Sequence, residues 1–534
     1  MDPLHPLTKS LVTAELVHVI PIAIPAVFGV IVLLMDLFLR GKSKVPLALT
    51  TAMGCGLAAV AALAIWTGTQ EQVVLGGSLA TSAASAGLAL PILLAATIIG
   101  FAVCHNGLEE RSAQGGGGVT TAAAVGPAGW THSIAHGEMF GLMLFGTTGM
   151  LALVAANDLV TLFLGVETLS IAVYAMTGLD RRQARSAEGA MKYFVLGAFS
   201  AGFLLYGISL LYGATHTMRL DLIGAALLST DRLPLATTGG ALIAVGLLFK
   251  MGAVPFHAWA PDAYQGAPSA ATGFMSVGVK VAALAAAIRV VAALGSAGAL
   301  GSAGVWLLWF IAAISIIAGN AGALTQRNPR RLLAYSAIAH TGYLLIGLVA
   351  LARAYSPAVS ADALIAGKDA VAGLIFYGLG YGLANLGAFA VLTHLERRGD
   401  DVDSISELSG LARTQPGAAL VMTISMLSLA GIPGTAGFLG KLWVFRAGVG
   451  AGDIGLVVLA LVASAVSLYY YLYVVVVMYM HEPHTGTAAS LPADERRWAS
   501  RLAVGAAGIL TVLLGIYPTK WLLELMIAGA EAIL

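Results

Sequence analysis

Apolar residues run along this chain in stretches of about twenty, set apart by short segments where arginine, proline and glycine collect. A helix needs a stretch of that length to cross the ~30 Å hydrocarbon core of a bilayer. Such stretches lie near 13–38, 46–66, 86–104, 134–156, 159–178, 190–212, 233–256, 269–290, 304–324, 332–351, 371–394, 417–445, 454–480 and 500–523. The pattern predicts an all-α polytopic membrane protein of about fourteen transmembrane helices, with one membrane domain over 1–534.

The charges between the stretches test that count. With the N-terminus outside and the helices alternating, the inside connections hold Arg40, Lys42, Lys44, Arg111, Arg181, Arg182, Arg185, Arg327, Arg330, Arg331, Arg397, Arg398, Arg413, Arg496, Arg497 and Arg501. The outside connections and termini hold Lys9, Arg219, Arg232, Arg289, Arg353, Lys368, Arg446 and Lys520. That is sixteen basic residues against eight, with every triplet on one side. The positive-inside rule therefore supports an even number of spans with both termini outside. The other four of the 28 basic residues are lysines within spans: Lys192, Lys250, Lys280 and Lys441.

Composition narrows the function. The chain is 58% hydrophobic and 10% charged, with a net charge of +1, where a soluble domain carries roughly a quarter charged residues. Nothing in this balance points to nucleic acid or an acidic partner. The two cysteines, Cys55 and Cys104, lie far apart in apolar runs, and neither an iron–sulfur nor a haem-attachment pattern is present. No P-loop occurs, and Gly378-Leu379-Gly380-Tyr381-Gly382 has the wrong spacing and setting for a dinucleotide fingerprint. The expectation is a chain that binds no nucleotide and carries no redox centre or cofactor of its own. Met1–Ser10 lacks the basic cluster of a cleaved signal peptide, so the first span is expected to act as its own insertion signal.

Two spans are interrupted. In Leu247–Asp262 an uncharged run ends at Lys250, and Pro255 follows five residues later. Proline removes a backbone donor and clashes with the preceding turn, so the helix should break there. In hydrocarbon a broken helix is tolerated only where protein or water satisfies the freed carbonyls. A second break falls in Leu429–Lys441, where Lys441 lies eight residues after Pro433. Two interrupted spans five positions apart suggest an internal repeat, and inverting one half would bring the two lysines to similar depth. Among the connections, Ser112–Ser133 is Gly/Ala-rich and expected to be flexible. Thr217–Arg232 carries Leu220, Ile223 and Leu227 at helical spacing, fit to lie along the outer interface. Glu396–Arg413 is a mixed-charge inside loop without a readable motif.

Ionisable side chains at lipid depth mark the candidate site. A lone carboxylate in hydrocarbon costs several kcal/mol, so Glu167 needs a positive partner, and Lys250 is the candidate. Burial lowers a lysine pKa and a nearby carboxylate raises it, so such a pair can load and release a proton; the same pair could also be a static lock between helices. Lys280 lies mid-span among apolar neighbours. His340, near neutral in pKa, suits proton passage, although a single span histidine can equally be a hydrogen-bonded packing residue. His257 and Asp262 flank the first break and could sit at its watery mouth. Lys192 follows Glu188 by four residues, which favours a local pair, with a place on the proton input side as the alternative. These groups lack metal-ligand spacing and an activated nucleophile. They suit a water-linked proton path, which must be driven, since moving one charge across 100 mV takes roughly 2.3 kcal/mol. A purely structural scaffold is the rival reading.

At these residues the sequence resembles the antiporter-like membrane subunits of proton-translocating NADH:quinone oxidoreductase (respiratory complex I), and among them the subunit N family. The likeness is carried by Phe249–Pro268 and Ala190–Ala198, together with Glu167, Tyr335–Tyr343 and Gly434–Lys441. It covers the chain from about Glu15 to the last span. The resemblance implies two inverted five-helix repeats, each with a broken helix: N-terminal helices over 1–110, repeats over 134–294 and 304–480, and a C-terminal helix over 500–534. It implies that Glu167 pairs with Lys250, that Lys280 and His340 relay protons along the midplane, and that Lys441 faces the exit. The implied partners are the other membrane and peripheral subunits, the latter holding flavin and iron–sulfur clusters, with quinone met only at the level of the complex in a bacterial cell membrane. A multisubunit cation/proton antiporter is the nearest alternative.

Overall fold

Backbone in hydrocarbon must satisfy its hydrogen bonds within the segment, and the chain accordingly resolves into helices almost throughout. The computed structural model describes residues 15–39, 44–67, 71–103, 137–180, 183–355, 361–396, 402–483 and 498–533. Helices α1 (Ile20–Phe38) and α2 (Val45–Ile65) lead into a short antiparallel hairpin, β1 (Gln72–Val74) and β2 (Leu79–Thr81), paired in the register Gln72↔Thr81, Val73↔Ala80 and Val74↔Leu79. Then come α3 (Ala83–Val103), α4 (Gly137–Ala155), α5 (Leu159–Thr177), α6 (Ala184–Thr215) and the short α7 (Leu220–Leu228). The first broken span is α8 (Leu233–Met251) with α9 (Trp259–Gly266). It is followed by α10 (Ser269–Gly295), α11 (Gly301–Leu324), α12 (Pro329–Ala354) and α13 (Ala361–Leu395). The second broken span is α14 (Pro416–Ala430) with α15 (Ala436–Gly450), and α16 (Ile454–Met480), α17 (Trp498–Ile516) and α18 (Lys520–Ile533) close the chain.

Among the described residues thirteen helices are long and apolar enough to cross a membrane. The fourteenth expected stretch, 417–445, is α14 and α15, each too short alone to span. The amphipathic reading of Thr217–Arg232 matches α7, which buries Leu220, Ile223 and Leu227. The hairpin had no sequence signal. A lone two-stranded hairpin is marginal, and this one is anchored by Arg289 of α10, whose guanidinium donates to Glu71 at 2.7 Å and to the Ala80 carbonyl at 2.8 Å. Over 500–534 there are two helices; α18 is amphipathic and buries Leu522, Leu525, Met526, Gly529 and Ala530 against α3 and α13. The expected flexible loop 112–133 and Cys104 lie outside the described residues.

The bundle has a centre and a rim. The best span windows of α10, α12 and α13 are 94%, 94% and 100% buried, whereas those of α1, α6, α11 and α16 are a third buried or less. The central helices are also the ones that carry Lys280, His340 and a set of tyrosines. Polar residues therefore sit where the protein, and not lipid, surrounds them.

Candidate site: a polar line between two broken helices

The first break begins at Gly252, whose φ of +74° lies in the left-handed region that glycine enters without a Cβ clash. The Gly252 and Ala253 amides turn back onto the Phe249 and Leu248 carbonyls, closing α8. Groups freed by the break find side-chain partners. The Trp259 indole donates to the Phe249 carbonyl at 3.1 Å, the Thr341 hydroxyl to the Met251 carbonyl at 2.6 Å, and the Val254 amide to Ser315 Oγ at 3.0 Å. Lys250 occupies the last turn of α8. Its Nζ donates to the Tyr174 hydroxyl at 2.9 Å and faces the rings of Tyr174, Phe249 and Tyr193 at 4.9, 5.5 and 5.6 Å. A cation over aromatic faces is stabilised by their quadrupoles, more so when desolvated.

At the second break Gly431 adopts φ +89°, and the lysine arrives from the far side. Lys441, on α15, reaches back to the end of α14 and donates to the Leu429 carbonyl, the Ala430 carbonyl and Ser464 Oγ, each at 2.9 Å. The Ser428 hydroxyl accepts from the Gly437 amide at 3.0 Å, tying the start of α15 to the end of α14.

Between the breaks the central helices carry polar groups in near-continuous contact. Lys280 of α10 donates to the Ala337 carbonyl of α12. The same carbonyl accepts from Thr341 Oγ1 at 3.1 Å, and Thr341 also donates to Met251 beside Lys250. An internal cavity of ≈ 10 Å³ is lined by both Lys250 and Lys280, about the room one water centre needs. His340, the neighbour of Thr341, bonds the Tyr377 hydroxyl through Nδ1 at 2.6 Å and the Tyr471 hydroxyl through Nε2 at 3.3 Å. It also meets the Tyr343 ring edge-on with centroids 5.5 Å apart, and the Lys441 Nζ lies 5.1 Å from the centre of that same ring. Lys250, Lys280, His340 and Lys441 are 3, 4, 3 and 5% exposed, so all four are inside the bundle.

The other predicted residues fall elsewhere. Glu167 is half-buried on α5 at the edge of that helix's exposed face. The direct Glu167–Lys250 pair expected from the sequence does not form: no ion pair within 4.0 Å joins them among the described residues. Tyr174, seven residues along α5 and so two turns away, takes the ammonium's hydrogen bond, and Glu167 acts on both groups only through space. Lys192 makes the expected pair with Glu188 at 2.6 Å and a second with Asp262 at 2.7 Å, while Arg331 also binds Asp262 at 2.7 Å. Asp262, in the first turn of α9 just past the break, is thus paired with two cations. His257 is half-buried in the connecting loop, its Nδ1 without a partner among the described residues.

Sequence reasoning missed the hydroxyls. Tyr174, Tyr193, Tyr377, Tyr381, Tyr471 and Thr341 all border the lysines or His340. The Tyr193 and Tyr381 hydroxyls are buried without a partner among the described residues, which leaves them hydrogen-bonding capacity. A polar residue at intervals on an otherwise apolar central helix was the available signal. Arg330, counted from the sequence only as a basic residue of an inside connection, has a structural part as well. It is fully buried, donating to the Ala267 carbonyl at 3.0 Å and to Asp403 at 2.9 Å, and so ties the end of α9, the start of α12 and the connection after α13 together.

Comparison with known proteins bears on this geometry. The family described as "NADH:quinone oxidoreductase/Mrp antiporter, TM" matches residues 156–467, a range that contains both breaks and all four buried titratable groups. "NADH-quinone oxidoreductase subunit N" of Myxococcus xanthus (strain DK1622) is 41% identical over 401 residues, covering 72% of this chain and 76% of that protein. Its counterpart in Rhodococcus opacus (strain B4) is 36% identical over 517 residues and 92% of each chain. A chain of respiratory complex I from Thermus thermophilus with bound aureothin superposes with a TM-score of 0.73 at 33% identity, over 94% of this chain and 98% of that one. At 22% identity, a chain of the Mrp complex from Dietzia sp. DQ12-45-1b shares the fold, with a TM-score of 0.74 over 96% and 97%. With two lysine-bearing helix breaks joined by a buried histidine and a family match over that same range, the chain belongs to the subunit N family of NADH-quinone oxidoreductases, within the NADH:quinone oxidoreductase/Mrp antiporter membrane subunits.

Proposed function

We propose that the chain is a membrane-arm subunit of a proton-translocating NADH:quinone oxidoreductase and carries protons across a bacterial cell membrane. Electron transfer from NADH to quinone occurs in partner subunits that hold flavin and iron–sulfur clusters. The observation that carries the proton reading is the line of contacts Lys250–Tyr174 and Met251–Thr341–Ala337–Lys280, continued by His340 and by the Tyr343 ring that His340 and Lys441 share. Hydroxyls, an imidazole and amines in hydrogen-bond reach can pass a proton where lipid could not accept one. Glu167 answers a charge shift in a neighbouring subunit and acts through space on Lys250 and the Tyr174 hydroxyl it bonds. Lys192 and Asp262 feed the input side, and His257 lies at the mouth of the break. The two broken spans anchor inverted repeats, with both chain termini outside.

Lys280→Ala in the assembled complex interrupts the line at its middle. The expected result is loss of proton pumping with assembly intact, measured as acidification in proteoliposomes during NADH oxidation. Unchanged pumping per NADH would remove Lys280 from the path. The shared fold with the Mrp complex supports a cation/proton antiporter as the second reading. Absorbance separates the two, since only the oxidoreductase brings flavin and iron–sulfur bands through purification.

A further inference from the structure

The polar line has one step without a direct bond. Lys280 Nζ donates to the Ala337 carbonyl, and the two ring nitrogens of His340 bond Tyr377 and Tyr471, so no hydrogen bond among the described residues joins the amine to the imidazole. Helix α13 runs past both. Tyr377, Tyr381 and Asn385 recur on it every four residues, a stripe about 12 Å long on one side of the helix at ~1.5 Å per residue. One end of the stripe bonds His340 Nδ1 through the Tyr377 hydroxyl at 2.6 Å. The other end bonds α10 through Asn385, whose Nδ2 donates at 2.6 Å to Ser276 Oγ, one turn from Lys280. Tyr381 stands in the middle: its ring centre is 5.0 Å from Lys280 Nζ and 4.9 Å from the centre of the His340 ring.

Two oxygens of this stripe, the Tyr381 hydroxyl and Asn385 Oδ1, are buried without a partner among the described residues. Buried polar atoms in folded proteins find a partner in protein or in ordered water, and a buried water makes about three hydrogen bonds. The Lys280 ammonium has three protons to donate, and one goes to Ala337. A water that accepts from the ammonium and donates to Asn385 Oδ1 and the Tyr381 hydroxyl satisfies all three groups.

We propose that Asn385 and Tyr381 hold water beside Lys280, and that this water and the Tyr381 and Tyr377 hydroxyls carry the proton between Lys280 and His340. The proposal rests on the proton reading above and assigns its middle step. The ammonium gives a proton to the water, and each oxygen along the stripe takes one proton as it releases another. The net result is a neutral Lys280 and a proton on His340 Nδ1. Asn385 positions the water and takes no proton.

The test uses the assembled complex. In a cryo-EM map fine enough to show ordered water, density should lie within hydrogen-bond reach of both Asn385 Oδ1 and the Tyr381 hydroxyl. In proteoliposomes Tyr381→Phe, which removes only the hydroxyl, should slow proton pumping about tenfold, the factor that one lost hydrogen bond supplies. Asn385→Leu should slow it as much and abolish the density, with assembly intact. A phenol that serves packing alone predicts the opposite: losing an unpartnered buried hydroxyl would raise the thermal midpoint and leave pumping as it was. Unchanged pumping in Tyr381→Phe, or a dry contact between α10 and α13 in the unaltered complex, overturns the proposal. The density does not depend on how either variant folds. Lys280→Ala separates this step from the reading beneath it. Pumping lost in that variant but kept in Tyr381→Phe sinks only the α13 relay, whereas pumping kept in both sinks the proton path as well.

Discussion

At the first break the lysine precedes the proline and lies among rings; at the second it follows the proline and lies on backbone. Lys441 donates three hydrogen bonds, two of them to the carbonyls at the end of α14. The negative end of that helix dipole holds its charge, and removing the ammonium would strand the Leu429 carbonyl. At the first break the carbonyls of Phe249 and Met251 are served by neutral donors, Trp259 and Thr341. Lys250 keeps one side-chain hydrogen bond among the described residues, to Tyr174, with three aromatic faces around it. Lys441 is therefore part of the scaffold of its break, whereas Lys250 is not. A group whose charge also closes a helix end loses its proton at a structural cost, so under the proposed function the mobile step falls to Lys250.

This contrast can be broken by substitution. The largest effect is expected for Lys250→Ala, which should abolish proton pumping coupled to quinone reduction while the complex still assembles. Proton transfer at the unaltered rate in that variant would remove Lys250 from the path. Next comes stability. Lys441→Met leaves the buried Leu429 carbonyl short of a donor at about 1–3 kcal/mol, while the Ala430 carbonyl keeps Ser464 Oγ at 3.2 Å, and thermal unfolding should show a fall in midpoint. Lys250→Met should cost much less, because the neighbouring Phe249 and Met251 carbonyls keep their donors, Trp259 and Thr341. Equal destabilisation by the two would erase the distinction.

Tyr174→Phe should slow proton-coupled turnover about tenfold, consistent with loss of a hydrogen bond to a charged group at about 1.5 kcal/mol or more. Assembly and folding should be unaffected. If turnover stays unchanged, Glu167 acts on Lys250 without the phenol. The smallest effects belong to the glycines. Gly431→Ala forces a Cβ into the left-handed region at about 1–2 kcal/mol and sets it 3.0 Å from Lys441 Cδ. Gly252→Ala meets open space and should cost only the backbone strain of about 1 kcal/mol. The difference between the two midpoints measures how tightly each lysine is built in.

The spans and the breaks were legible without coordinates, because both are local. A run of about twenty apolar residues is readable as it stands, and Pro255 and Pro433 disrupt whatever helix contains them. The identity of the buried titratable groups was legible for a similar reason: charge at lipid depth is costly enough that each instance stands out. Tertiary structure decided which groups meet. Tyr174 and Lys250 are 76 residues apart, Lys280 and Ala337 57, His340 and Tyr471 131. Local pattern cannot rank such pairings, and a tyrosine on an apolar helix looks the same facing lipid or an ammonium. The sequence therefore placed Glu167 against Lys250 by charge alone, while the packed helices gave the Lys250 ammonium to the Tyr174 hydroxyl.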